Sequence, residues 1–243
     1  MISALEFEIL RRAYPQAPDK VDGSAYAGKS KLAVLMGPGF FDEIRGKDVV
    51  DFGCGSGREA LEMAQAGAAS VIGLDIQESL LVEARERCAG YRNIDFRTPG
   101  HRVQADVVVS IDSFEHFANP QIVLASMWNA LKPGGKIMVS FGPTWYHPLG
   151  GHLFSVFPWA HLLFTEKALI RWRSTFKTDG ATRFSECAGG LNKMTIARFE
   201  RLVAASPLKL EKLECVPIRR LERLHNRLTR EFTTAIVRCT LAT

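Results

Sequence analysis

Val49–Ala60, VVDFGCGSGREA, decides the fold. Val49 and Val50 read as a short buried strand that ends in an acid, Asp51. Gly53, Gly55 and Gly57 follow at alternate positions, and a helix opens near Ser56 and runs through Glu59–Gln65. Alternate glycines let the backbone take positive φ and let a ligand approach the main chain without meeting a Cβ. The helix start adds free N–H groups and a partial positive charge. Strand, glycine turn and helix N-terminus together predict a nucleotide-sized site at the C-terminal edge of a parallel sheet.

The spacing bears on which ligand. A dinucleotide fingerprint wants G-x-G-x-x-G, but this turn is D-x-G-x-G-x-G and Arg58 stands where the third glycine of that fingerprint would fall. An acid ahead of the glycines repels a pyrophosphate and suits an ammonium group. A second acid ends the next apolar run, Val71-Ile72-Gly73-Leu74-Asp75, 18 residues past Gly57, where a ribose diol is normally held. With these two acids around the turn, Lys47–Phe141 resembles the class I S-adenosylmethionine-dependent methyltransferases, in the small-molecule group with an [ED]-x-G-x-G-x-G first motif. The flanks resemble that class only loosely.

Working outward, strands alternate with helices, the pattern of a parallel sheet with right-handed crossovers. The expected strands are Asp48–Phe52, Ser70–Asp75, Ile94–Thr98, Ala105–Ile111 and Lys136–Phe141. Helices are expected at about Ser56–Ala66, Glu78–Cys88 and Gln121–Leu131, the last entered through Asn119-Pro120 with proline at its first position. The run Val107-Val108-Val109 is that of a strand buried on both faces. Lys132-Pro133-Gly134-Gly135 reads as the turn into the fifth strand, and such a turn is frequent in the resembled family.

Ahead of this, residues 1–14 carry Ile2, Leu5, Ile9 and Leu10 at helical spacing, and Lys31–Met36 is a short helix stopped by Gly37-Pro38-Gly39. After it, residues 142–206 exceed what a simple connection needs. They hold an aromatic cluster (Trp145, Tyr146, Phe154, Phe157, Trp159), a helix expected over Trp159–Arg173 and a second, Thr-capped helix over Thr195–Ala205. Leu208–Val216 and Glu231–Leu241 are β-rich and joined by the basic segment Arg219–Arg230. The expected whole is an α/β, Rossmann-like, doubly wound sheet of seven strands with the last antiparallel. Residues 1–45 form an N-terminal helical cap, 46–243 the methyltransferase domain, and 142–206 a helical lid inserted after strand five.

The resemblance implies S-adenosylmethionine as cofactor. It places Asp51 beside the methionine ammonium and opens the backbone at Gly53, Cys54, Gly55 and Gly57. It gives Asp75 the ribose hydroxyls in charge-assisted bonds, puts Ile76 against the adenine, and gives Ser110 a backbone contact to the methionine end. Relatives often cover the cofactor with an N-terminal segment, and Tyr26 could touch its carboxylate end. They also commonly carry an acid after strand three for the adenine amino group. Here that region is Thr98-Pro99-Gly100-His101, so either main chain holds the adenine or Asp106 takes over.

If the acceptor must lose a proton, His116, which follows Glu115 at the mouth of strand four, is the candidate base, and His147 in the lid is a second. His147, His152 and His161 match no zinc spacing, and no metal is expected. Glu166 lies on the apolar stripe of the lid helix, free to steer a substrate or to pair with Arg173. The aromatic lid favours a small, partly apolar acceptor; O, N and C acceptors stay open.

Composition sets the bounds. The chain has 243 residues, 47% of them hydrophobic, enough for one sizeable core. Five scattered cysteines without a C-x-x-C pair suggest reduced thiols and a cytoplasmic setting. The opening stretch MISALEFEILRR, with acids and no long apolar run, does not read as a secretory signal, and Leu153–Phe164, broken by Pro158, is too short for a transmembrane segment. Net charge is +5, with 16 Lys+Arg against 8 Asp+Glu in residues 142–243 and 15 against 18 before them. A basic half leaves RNA or a lipid head group as alternative acceptors, and a non-catalytic cofactor-binding module as an alternative role. Nucleic acid is the less favoured partner because no binding motif accompanies the charge.

Overall fold

The computed structural model describes residues 2–16, 29–187 and 190–243. Tyr26, expected near the cofactor, lies outside them. Seven strands form one sheet: β1 Asp48–Phe52, β2 Ser70–Leu74, β3 Ile94–Arg97, β4 Ala105–Ile111, β5 Leu131–Phe141, β6 Lys209–Pro217 and β7 Thr234–Ala242. Their order is 3-2-1-4-5-7-6. Strands β1 to β5 pair in parallel, and β7 runs antiparallel to both β5 and β6. The expected doubly wound sheet with an antiparallel last strand is therefore present.

Ten α-helices accompany it among the described residues: α1 Ile2–Ala13, α2 Lys31–Met36, α3 Phe40–Ile44, α4 Arg58–Gln65, α5 Glu78–Arg87, α6 Pro120–Asn129, α7 Ala160–Leu163, α8 Glu166–Arg173, α9 Ile196–Ala204 and α10 Arg230–Thr233. The strands are apolar throughout because both faces are covered. Val50, Phe52 and Val108 face Leu124, Met127 and Phe199 from α6 and α9. Val49, Val71, Val107 and Val109 face Leu35, Phe40, Met63 and Leu81 from α2 to α5. A third cluster joins Phe7 and Leu10 of α1 to Phe154, Leu169, Trp172 and Phe184.

Three boundaries differ from expectation. Lys132–Gly135 is not a separate turn: β5 already starts at Leu131, opposite Ala105, and a register shift between Ala105 and Val107 absorbs the irregularity. The helix expected over Trp159–Arg173 is two helices. Phe164 is extended, and Thr165 caps α8 by accepting the Ala168 N–H. A threonine whose hydroxyl can take a backbone donor competes with helix continuation. Residues 230–233 coil as α10 before β7 begins. No described helix is long and apolar enough to cross a membrane.

In the order 3-2-1-4-5 the connections change direction between β1 and β4, and a crevice opens there outside the strands' C-terminal ends. The register sets Asp51 beside Gly73 and Val109, so the ends of β1, β2 and β4 share one edge.

Candidate active site

The glycine turn is laid across the end of β2. Gly53 and Cys54 both donate N–H to the Leu74 carbonyl, at 2.8 and 3.2 Å, and Gly55 N–H donates to Asp75 Oδ2 at 2.9 Å. Gly57 takes φ +75, and a Cβ there would lie 2.7 Å from the Phe96 ring and 2.9 Å from Ala84 Cβ, so only glycine closes the turn onto α5. Gly55 is different: φ is +52, and nothing lies within 4 Å of where its Cβ would point. Its backbone is the open face of the turn. Helix α4 then starts with no side-chain cap, leaving its first N–H groups available.

Around this turn, negative charge is in excess. Asp51 is buried, and among the described residues its Oδ2 has no hydrogen-bond partner. Burial above all pushes its carboxyl up to about 8, Glu59 and Asp75 add to the rise, and Lys31 opposes it. The Lys31 ammonium bridges Glu59 Oε1 (3.1 Å) and Asp112 Oδ2 (3.2 Å), bringing α2 to the crevice. Asp75 accepts Gly55 N–H on Oδ2 and Gln77 N–H on Oδ1, each at 2.9 Å. A carboxylate has about four lone-pair sites, so two stay open. Ile76, 83% exposed, stands beside it as a bare apolar surface. Cys54 turns its thiol into the core, within reach of Gly73, and burial pushes that thiol up. Ser110 is buried in β4, with its hydroxyl unpartnered.

A second group of polar residues gathers after β4. Asp112 takes φ +54, Ser113 Oγ donates within reach of the Gly53 carbonyl (3.2 Å), and Phe114 is buried edge-on against Phe117 and Phe199. That anchor fixes the two residues that follow. Glu115 is buried; its Oε1 accepts the Gly142 N–H at 3.2 Å and its Oε2 has no partner. Burial, with Asp112 nearby, holds its carboxyl well above the usual range. His116 Nδ1 lies 2.6 Å from the Gly190 carbonyl, and a carbonyl only accepts, so Nδ1 carries the proton and Nε2 the lone pair. His152 packs edge-on against His116 at 5.1 Å; its Nε2 is unpartnered, and burial lowers it to about 4. Glu115, expected only as the neighbour of His116, and His152, expected as a loop residue with no metal role, thus meet at His116. The available signal was the Glu-His pair directly after a strand that ends at the crevice.

The other expectations fare differently. His147 Nδ1 accepts the Leu149 N–H at 2.9 Å, and burial lowers the ring to about 4. That bonding leaves it no free basic nitrogen, so it serves the turn. His161 is spent likewise, with Nε2 donating to the Trp145 carbonyl at 2.7 Å and Nδ1 facing Ser155 Oγ at 2.9 Å. Glu166 does not pair with Arg173. It pairs with Lys193 at 2.8 Å and accepts the Phe184 N–H at 2.7 Å, while Arg173 forks onto Asp179 at 2.7 and 2.5 Å. Asp106 cannot reach an adenine, because it starts β4 at the opposite edge of the sheet. There its carboxylate accepts from Asp48 N–H (2.9 Å) and Lys132 Nζ (3.2 Å). Most of the aromatics of residues 142–206, Trp145, Phe154 and Phe184 among them, pack on one another and α1. The cavity that His116 lines, about 250 Å³, has a mixed wall: Phe184 and Leu191 with Arg183, Lys193, Arg198 and Glu166.

A parallel sheet in this order with an antiparallel seventh strand, an acid before a D-x-G-x-G-x-G turn and a second acid after the next strand together define a class. The chain carries a class I S-adenosylmethionine-dependent methyltransferase domain, and residues 50–139 match the family described as a methyltransferase domain. The cofactor of that class is S-adenosylmethionine.

Among curated relatives, a ubiquinone biosynthesis O-methyltransferase from Neisseria meningitidis is 31% identical over 144 residues, 56% of this chain and 53% of that one. A ribosomal protein L11 methyltransferase from Janthinobacterium is 39% identical over 103 residues, 39% of this chain and 32% of that one. The chain thus spans about half or less of the length of the curated relatives it matches. Among solved structures, magnesium protoporphyrin IX methyltransferase from Synechocystis PCC 6803 with bound SAH superposes with a TM-score of 0.57. Its sequence identity is 16%, over 99% of this chain and 95% of that one, which shows the shared fold.

Proposed function

We propose that this chain is an enzyme that transfers the methyl group of S-adenosylmethionine to an oxygen of a small, partly apolar molecule. The observation that carries the cofactor half is Asp51, a buried carboxylate with an unpartnered oxygen set against an open glycine backbone. An uncompensated buried carboxylate is costly, and an ammonium group supplies what it lacks. When bound, the cofactor supplies a methyl group already made electrophilic by its sulfonium.

The residues do the positioning, which can be worth up to roughly 7–11 kcal/mol of barrier. Asp51 holds the ammonium, the two open lone-pair sites of Asp75 take the ribose hydroxyls, the Gly55 backbone lies along the ligand, and Ile76 offers an apolar face to the adenine. Main chain at the end of β4, at Ser110, meets the methionine end. The 142–206 segment acts as the lid: Asn192 Nδ2 donates to the Phe114 and Phe117 carbonyls at 2.8 and 3.0 Å, closing it onto the turn that carries His116. His116 Nε2 receives the acceptor's proton, its lone pair oriented by the Nδ1–H bond to Gly190. The mixed cavity wall suits a partly apolar molecule with an anionic group, and the O-methyltransferase names among the relatives support an oxygen acceptor.

Thermal-shift titration with S-adenosylmethionine, S-adenosylhomocysteine and NADH tests this reading. A ligand at 100 times its dissociation constant stabilises by about 2.7 kcal/mol. Both adenosyl compounds are expected to raise the melting temperature and NADH to leave it unchanged. Asp75→Asn, which keeps shape but loses charge, is expected to weaken S-adenosylhomocysteine about tenfold or more. A shift with NADH instead would overturn the cofactor assignment. Tight binding without turnover on any acceptor would leave a cofactor-binding module.

A further inference from the structure

Glu115, His116 and His152 bring one donor atom each within 4.8 Å of one another, two from the turn after β4 and the third from the 142–206 segment. Among the described residues, no protein donor satisfies this meeting point. Glu115 Oε2 and His152 Nε2 are both buried without a hydrogen-bond partner. The third residue, His116, has its Nδ1–H committed to the Gly190 carbonyl, so its Nε2 offers a lone pair. Buried acceptors with nothing to accept are expensive in a folded protein. A cation between them removes both costs at once and takes up the His116 lone pair.

We propose that Glu115, His116 and His152 form a binding site for one divalent transition-metal cation. Two imidazole nitrogens and one carboxylate oxygen suit Zn²⁺, Co²⁺, Ni²⁺ or Fe²⁺, whereas Mg²⁺ and Ca²⁺ prefer oxygen alone. The surroundings hold the donors as metal ligands are usually held. The backbone carbonyl fixes the His116 ring and its tautomer, and the Gly142 N–H at 3.2 Å fixes the other oxygen of Glu115. Ligands about 2.1 Å from a cation stand roughly 3–3.5 Å apart, so small side-chain rotations close the set. Three protein ligands leave positions for a water or an acceptor oxygen on the cavity that His116 lines. There the cation would acidify a bound hydroxyl whose proton leaves to solvent through that cavity, with His116 Nε2 serving as a ligand in place of the base assigned above. The site stands without the methyl-transfer reading, and its test reads the metal by itself.

The full chain, stripped with a chelator and dialysed, would be titrated with Co²⁺ while visible d–d absorption is followed, then back-titrated with Zn²⁺. One Co²⁺ per chain is expected, displaced by one equivalent of Zn²⁺. Glu115→Gln and His152→Ala are each expected to weaken Co²⁺ at least tenfold with circular dichroism unchanged. His101→Ala, an exposed histidine before β4, should bind as the parent does. Histidine side-chain NMR of the unmutated chain gives a reading that no misfolded variant can confuse: on Zn²⁺ addition the His116 and His152 rings should shift and those of His101 and His225 stay. Absence of saturable Co²⁺ binding, or binding that leaves the His116 and His152 resonances in place, would overturn the proposal.

Discussion

The turn at Gly53–Gly57 is held mainly by main chain, and the 142–206 segment adds many side-chain fastenings to its main-chain bonds. In the turn, three amides find backbone carbonyls and a fourth finds Asp75. In the segment, the fastenings are Trp172 Nε1 on the Tyr14 carbonyl (2.7 Å), Arg173 on Asp179, Lys193 on Glu166, and rings such as Phe154 and Phe184 with centroids 4.5 Å apart. A turn built from backbone needs particular residues at particular places, because only glycine gives the φ values and the clearance. A segment built from side chains needs only that its partners meet. The first should fail by adding a methyl group, the second by removing a ring.

The largest expected effect breaks the segment. Trp172 is fully buried in the cluster that α1 shares with α8. Replacing Trp172 by alanine should cost about 3–5 kcal/mol and leaves the Tyr14 carbonyl without its donor. Because that cluster contains no strand residue, the loss should be local. Hydrogen exchange is expected to speed up in α1 and α8 while β4 and β5 amides keep their protection. Equal loss of protection across the sheet would mean that segment and sheet unfold as one unit.

The next breaks the turn. Gly57→Ala forces a Cβ to within 3 Å of Phe96 and Ala84 at a left-handed φ. The two penalties together come to about 2–4 kcal/mol, to be seen as a lower urea midpoint. Gly55→Ala sharpens the contrast. Its Cβ meets nothing, so stability should drop by only about 1–2 kcal/mol, from the left-handed backbone alone. Binding of S-adenosylhomocysteine should fall disproportionately, because the new methyl group occupies the open face. Equal losses in both variants would place the ligand elsewhere.

This contrast also explains what was legible from residues alone. Strands β1 to β5 and the acids Asp51 and Asp75 follow from local pattern: apolar runs that end in a carboxylate, glycines at fixed offsets, a proline opening α6. Thr165 shows the limit. The apolar stripe runs through it, and only its hydroxyl taking the Ala168 amide splits one expected helix into α7 and α8. The pairing of Glu166 with Lys193 rather than Arg173 depends on a loop returning 27 residues later, which no period encodes. Glu115 and His152 meet across a comparable gap. Their joint significance lies in two unpartnered atoms, a property of the folded chain. Asp106 failed for a simpler reason: an acid at the start of a strand sits at the wrong edge of a parallel sheet.

The last effect separates the two regions by pH. Asp51 is pushed up to about 8, chiefly by burial. Its folded pKa exceeds the unfolded value of about 3.9, so its contribution to stability is complete below that pH and is lost as pH rises to 8. Binding reverses the preference, since a bound ammonium favours the ionised carboxylate. Binding below pH 8 therefore releases a proton, and affinity should climb with pH by at most about tenfold per unit, levelling above 8. The ligand's own amine titrates too, so the telling quantity is the affinity of the parent chain divided by that of Asp51→Asn, measured calorimetrically from pH 6 to 9. That ratio should rise and then flatten, while Trp172→Ala, which acts on the other region, should leave the slope unchanged. A flat ratio throughout would mean that Asp51 does not face the ammonium, and the turn's excess of negative charge would need a different occupant.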